Sequence, residues 1–316
     1  MRLGKFAVAG LACCSAVFTA GALYGQTTQH GQERDIAPSG RGIGTRYEHG
    51  PSSHRFGPAR SKPQKSIGNG IYYHGGPLLG TAVPPNVYLI WYGNWSGNTA
   101  NSILTNLVSN IGGSPYFNIN TTYYDGSNNH VLNAVSYKGS TTDNYSQGTS
   151  LSDSAVQLIV QAAISSNRLP QDPDGVYFVL TSKDVDEKSG FCSNYCGWHT
   201  YGTINGMNIK YAFIGNGDRC PSACEEQTTS PNNNPGADGM ASVIAHELEE
   251  AVTDPLLNAW YDRRGEENAD KCAWTFGTTS TASNGSKYNL TLNGVHYLIQ
   301  QNWVNASGGY CAMSYR

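Results

Sequence analysis

Charge is scarce in this chain. Asp, Glu, Lys and Arg together make up 14% of its 316 residues, against about 25% in an ordinary soluble domain. Surface polarity must then come from Asn, Ser, Thr, Gln and Gly, a habit of extracellular chains. Neither sign dominates: 20 basic and 23 acidic residues leave a formal charge of −3. There is no basic field to hold a phosphate backbone, which argues against nucleic acid as a partner. A G-x-S-x-G elbow is missing, so that kind of serine hydrolase is excluded. No Walker loop is present either, which excludes P-loop nucleotide chemistry. Past Leu23 no run is long and apolar enough to cross a bilayer, so no membrane span is expected in the mature chain. Disorder throughout is excluded by an apolar content of 39% and an aromatic content of 11%.

The chain begins with Arg2 and Lys5 ahead of an apolar run from Phe6 to Leu23. That pattern reads as a secretory signal peptide over residues 1–25, cleaved at Ala20-Gly21-Ala22 or at Gly25-Gln26. A retained anchor is the alternative. Residues 26–68 are rich in Gln, Gly, Ser, Pro, Arg and His without helical or strand periodicity, and read as a tail or linker. Removal of the leader takes Cys13 and Cys14 and leaves Cys192, Cys196, Cys220, Cys224, Cys272 and Cys311. An even count in an exported chain implies disulfides, with fifteen possible pairings. Local bridges Cys192–Cys196 and Cys220–Cys224 with a long Cys272–Cys311 bridge are expected. The rival is a zinc site from the two C-x3-C pairs.

From residue 69 the pattern is that of one mixed α/β domain with a central sheet, covering 69–316. Buried strands are expected at 86–92, 175–181 and 208–215, and helices at 99–111 and 153–166. A hairpin is expected over Tyr116–Tyr137, broken at Asp125-Gly126. A third helix is expected from Asp238 to Thr253, stopped by Asp254-Pro255.

That third helix carries the chemistry. Its apolar stripe is Met240, Ile244, Leu248 and Ala251, with His246, Glu249, Glu250 and Thr253 opposite. His246 and Glu250 are four residues apart and stack on one face, so both can reach one metal ion. Glu247 stands where H-E-x-x-H helices place the general base for the water that a zinc ion activates. Here Glu250 replaces the second His. A carboxylate lowers the charge of the site and admits calcium or manganese as well as zinc. A solvated helix face carrying an acidic run is the competing reading. Glu267 and Asp270 follow Glu250 by 17 and 20 residues, about where gluzincin-type peptidases place a third, carboxylate ligand. Asp254 is a weaker candidate, two turns or ~12 Å beyond His246 along the axis. His199 and His74 are read as structural histidines able to orient a substrate. Trp95, Trp260, Tyr261, Trp274 and Trp303 could stack on sugars if exposed.

Across these segments the chain resembles the EXORDIUM / phosphate-induced protein family. The resemblance rests on Tyr73-His74-Gly75-Gly76-Pro77, on Val87 to Gly93, and on Phe191-Cys192 through Cys196-Gly197-Trp198-His199. It is strongest in Ala245-His246-Glu247-Leu248, Glu250-Ala251, Asn258-Ala259-Trp260-Tyr261 and Asp270-x-Cys272. It implies secretion to the extracellular space or cell wall and a link to cell expansion, but supplies no defined reaction. Two functions remain in play. One is a zincin-like, metal-dependent hydrolase of peptidase type. The other is a non-catalytic wall or matrix protein of growth regulation, with an extracellular protein or polysaccharide as partner, or a carbohydrate-binding module.

Overall fold

A computed structural model describes residues 69–316. The leader expected over 1–25, the tail over 26–68, and Cys13 and Cys14 lie outside these residues.

A five-stranded sheet forms the centre. Its strands are β1 (Asn86–Tyr92), β2 (Ser136–Asp143), β3 (Gly175–Thr181), β4 (Gly197–Ile204) and β5 (Met207–Ile214), in the order β2-β1-β3-β5-β4. All neighbours run parallel except β4, which is antiparallel to β5 and forms the edge. The two central runs, Val87-Tyr88-Leu89-Ile90-Trp91-Tyr92 and Gly175 through Thr181, are buried on both faces. Burial on both faces is what a near-continuous apolar strand requires.

Three helices cover the sheet. α1 (Ala100–Asn110) begins where Asn98 Oδ1 accepts from the Ala100 N–H at 2.9 Å, and it buries Ile103, Leu104 and Leu107. α2 (Asp153–Ser165) is capped by the Ser152 hydroxyl, which accepts from the Ala155 N–H at 3.3 Å. α3 runs Pro235–Thr253, starting three residues before the expected Asp238. Asn234 Oδ1 takes the Ala237 N–H at 3.2 Å, and Pro235 supplies the fixed φ of a first helical residue. α1 packs beside α3, and α2 packs against β3 and β5.

Three expectations are corrected. The segment 116–137 is not a hairpin: a 3₁₀ turn (Phe117–Thr122) and a single antiparallel bridge, Tyr124 to His130, replace it, and β2 then joins β1 in parallel. Buried Tyr116, Phe117, Ile119 and Tyr123 make this stretch part of the core, which a free hairpin would not be. Second, the local disulfides are replaced by Cys192–Cys220 and Cys196–Cys224, while Cys272–Cys311 stands as expected. The segment before β4 lies alongside the 217–224 segment, so each cysteine meets its counterpart across the gap instead of its neighbour four residues on. With all six sulfurs in bridges, the rival cysteine zinc site is gone. Third, α3 has no solvated face. Every residue from Gly236 to Thr253 is buried, acidic ones included. β4 and β5 cover one side, while Asn268, Gln300 and Asn302 close over the other. Among the described residues no helix is long and apolar enough to cross a membrane.

Candidate metal centre

The third helix brings His246 and Glu250 together as their spacing demands: His246 Nε2 lies 3.0 Å from Glu250 Oε1. Asp270 arrives from the chain beyond α3, with Oδ1 3.5 Å from the same nitrogen. The Asp270 N–H also donates to Glu250 Oε1 at 3.0 Å, which fastens the 266–272 segment to the helix. His246 is wholly buried, and its Nε2 faces these two carboxylates. Its other ring nitrogen, Nδ1, accepts from the side-chain Nε2–H of Gln300, and the Gln300 backbone N–H donates to the Ser242 hydroxyl at 3.2 Å. As an acceptor Nδ1 leaves the ring proton on Nε2, directed at the two carboxylates; a cation bound at Nε2 would displace that proton and require the Gln300 amide to turn so that its oxygen takes one from Nδ1. That is the second partner a ligating histidine characteristically has.

Glu267 does not join this group. It turns to the far side of Glu250 and meets His199, whose Nε2 lies 2.8 Å from Glu267 Oε2 and 3.8 Å from Glu250 Oε2. His199 sits on β4, paired with Ala212 of β5, at the sheet edge facing α3. The sequence reading treated it as a structural histidine beside a disulfide, because nothing local marks β4 as packing on α3. The one signal is Gly197 two residues earlier. A Cβ there would come within 2.4 Å of Val243 Cγ1 and 3.3 Å of Glu247 Oε1, so only glycine admits the helix this close.

Two sets of potential ligand atoms therefore form, His246–Glu250–Asp270 and His199–Glu250–Glu267. Glu247 is buried beside them, with neither carboxylate oxygen hydrogen-bonded. Burial raises its pKa well above the carboxylate range; His246 counteracts this and Glu250 and Asp270 add to it. Burial pulls the His199 pKa down to about 4, which leaves a neutral imidazole at pH 7. Burial pulls on His246 too, but Glu250 and Asp270 outweigh it and hold that imidazole well above its usual value. A divalent ion would displace the proton they favour.

The other candidates lie outside the cluster or serve turns. Asp254 Oδ1 accepts from the Asn258 and Ala259 N–H groups at 2.6 Å each, closing the turn after α3, and its carboxyl also hydrogen-bonds to that of Glu267. Glu249 points away and accepts from Asn302 at 2.6 Å. His74 is exposed, stacked on Tyr261 with 3.6 Å between ring centroids, away from the ligand sets. Trp95 and Trp260 are core residues, and Tyr261, Trp274 and Trp303 are partly buried, so these five rings make no open platform for a sugar. A cavity of about 420 Å³ opens elsewhere, beyond the carboxyl ends of β1 and β3, lined by Asn94, Thr99, Ser182, Lys183, Asp218 and Asn234 among others.

The phosphate-induced protein 1 conserved region matches residues 71–312, and so covers the sheet, α3 and all of these ligands. The chain belongs to the phosphate-induced protein 1 family. Among curated members of that family, it is 33% identical to Protein EXORDIUM-like 3 of Arabidopsis thaliana, over 76% of this chain and 82% of the relative. It is also 33% identical to Protein EXORDIUM-like 5 of the same plant, over 66% of this chain and 65% of the relative. Protein PHOSPHATE-INDUCED 1 of Nicotiana tabacum is 29% identical over 63% of this chain and 69% of its own length. No solved structure matches the chain.

Proposed function

We propose that this chain is an exported phosphate-induced protein 1 family member that holds a divalent cation, zinc first, between α3 and the 266–272 segment. The observation that carries the reading is His246 Nε2, wholly buried, 3.0 Å from one buried carboxylate and 3.5 Å from another. A buried imidazole facing buried carboxylates is costly unless a cation or proton neutralises the set. An imidazole nitrogen and two carboxylate oxygens suit zinc or manganese.

The site is closed. The side chains of His246 and Glu250 are 0% and 1% exposed, and Asp270 only 8%. Closed sites are structural, whereas catalytic ones keep a position open. We therefore assign the ion to holding the C-terminal segment on α3, in a non-catalytic protein acting outside the cell at a wall or matrix, with the growth-related role that membership of this family supports. The leader expected over residues 1–25 and the three disulfides support export.

One observation favours the zincin-like hydrolase as a second reading: Glu247, with both oxygens unpartnered, sits in the field of Glu250 and Asp270. A cation there would polarise a carbonyl and acidify water. Glu247, ionised once the nearby cation offsets the burial that raises its pKa, would accept the proton. The deciding experiment measures metal content of the secreted, leader-free chain beside His246→Ala, then melting and peptidase activity of Glu247→Gln. Metal present in the wild type and lost in His246→Ala supports the centre; a wild type purified without metal, and unmoved by added zinc, removes it. Activity lost in Glu247→Gln with metal retained would replace the structural reading by the hydrolytic one.

A further inference from the structure

We infer that the centre holds two divalent cations, bridged by the Glu250 carboxylate, with His199 and Glu267 as ligands of the second. This rests on the reading of the first site and extends it.

The geometry is that of a shared carboxylate. Glu250 gives its two oxygens to different imidazoles: Oε1 lies 3.0 Å from His246 Nε2, and Oε2 lies 3.8 Å from His199 Nε2. Each imidazole has its own outer carboxylate, Asp270 for His246 and Glu267 for His199, at 3.5 and 2.8 Å. The arrangement is symmetrical about Glu250: one nitrogen, one outer oxygen and one bridging oxygen on each side. Carboxylate-bridged pairs place their ions about 3.5–4 Å apart, which the two oxygens of one carboxylate can span. The His199 side chain is 1% exposed and that of Glu267 0%, so the second set is as enclosed as the first.

Charge points the same way. Glu247, Glu250, Asp254 and Glu267 are 0–1% exposed, and Asp270 borders them. The one buried lysine or arginine among the described residues, Lys210, donates instead to the Pro173 carbonyl. Lys271, next to Asp270, turns to Asp262 at 3.3 Å. Two imidazoles, the His199 ring neutral at pH 7, are thus the basic side chains that face these five carboxyls. A single divalent ion at His246 would leave the His199 side of Glu250 without a cation. The two Glu247 oxygens, buried and without hydrogen-bond partners, mark the cluster as built around a ligand.

The test is a titration of the metal-stripped, full-length secreted chain with cobalt(II), followed by absorption. Two equivalents are expected for the wild type. One is expected for Glu267→Gln, which keeps the shape and a hydrogen bond to His199 while removing the charge. Saturation at one equivalent in both proteins would overturn the second site and leave the first standing. No binding at all would overturn both. Manganese(II) loading of the wild type gives a readout that needs no variant. An exchange-coupled electron paramagnetic resonance spectrum is expected at two equivalents, and the spectrum of isolated ions at that loading would refute the bridge.

Discussion

Glu226 shows what a single buried acid does in this protein. It precedes α3, is 4% exposed, and has one carboxylate oxygen without a partner. Burial raises its pKa well above the ordinary value; its own N–H opposes this, Asp238 and Glu225 add to it, and the Ser242 hydroxyl opposes it. The folded form thus keeps its proton at pH values where the unfolded chain has lost it. Stability from this group is present below the ordinary carboxylate range and is lost as pH rises through the raised folded value. Glu226→Gln should therefore raise the melting temperature at pH 8 and leave it nearly unchanged at pH 4. An equal shift at both pH values would refute this. Gln300 touches His246 and so stands one contact from the proposed ion. Gln300→Leu should weaken cation binding about 10–100-fold by freeing the His246 ring, as loss of an outer partner does elsewhere. Isothermal titration with zinc reads it.

Among the elements, the ones legible in sequence were those whose pattern is local. β1, β3, β5, α1 and α2 lie within a residue or so of where apolar runs, periodicity and caps place them. The His246–Glu250 pairing was equally legible, since the helix alone sets it. β4 was not: Gly197-Trp198-His199-Thr200-Tyr201-Gly202 has two glycines and no clean alternation, and its strand character comes from its long antiparallel pairing with β5. His199 was missed as a partner of Glu250 for the same reason. The burial of the acidic face of α3 was also hidden, because Asn268, Gln300 and Asn302 cover it from far along the chain. The β4–α3 contact is testable at Gly197. Gly197→Ala should cost about 1–3 kcal/mol by overpacking Val243, seen in urea unfolding, and should lower metal content by shifting His199. Ser152→Ala should cost about 1 kcal/mol through the lost cap of α2 and leave metal content alone.

At the scale of the molecule, the Cys272–Cys311 bridge and the proposed centre would fasten the same region, since Asp270 lies two residues before Cys272. The bridge spans 39 residues, and closing such a loop is worth about 4 kcal/mol in the chain-entropy account. Replacing both cysteines by serine should lower the melting temperature, and chelation should then lower it further than it lowers that of the wild type. A chelator effect identical in both proteins would show that the two fastenings are independent. The chain carries Asn-x-Ser/Thr sequons at Asn94, Asn120, Asn144, Asn284, Asn289 and Asn305; Asn120 and Asn305 are 0% and 8% exposed, so neither can carry a glycan on the folded protein, whereas Asn94, Asn144 and Asn284 are open. The interleaved bridges Cys192–Cys220 and Cys196–Cys224 bear on biosynthesis. In an exported chain Cys192 and Cys196 emerge together, each 28 residues ahead of its partner, Cys220 and Cys224 respectively. An oxidase acting on the nascent chain will join the first two, and an isomerase must then exchange them. Yield in a heterologous host should accordingly depend on disulfide shuffling capacity more than on oxidising power.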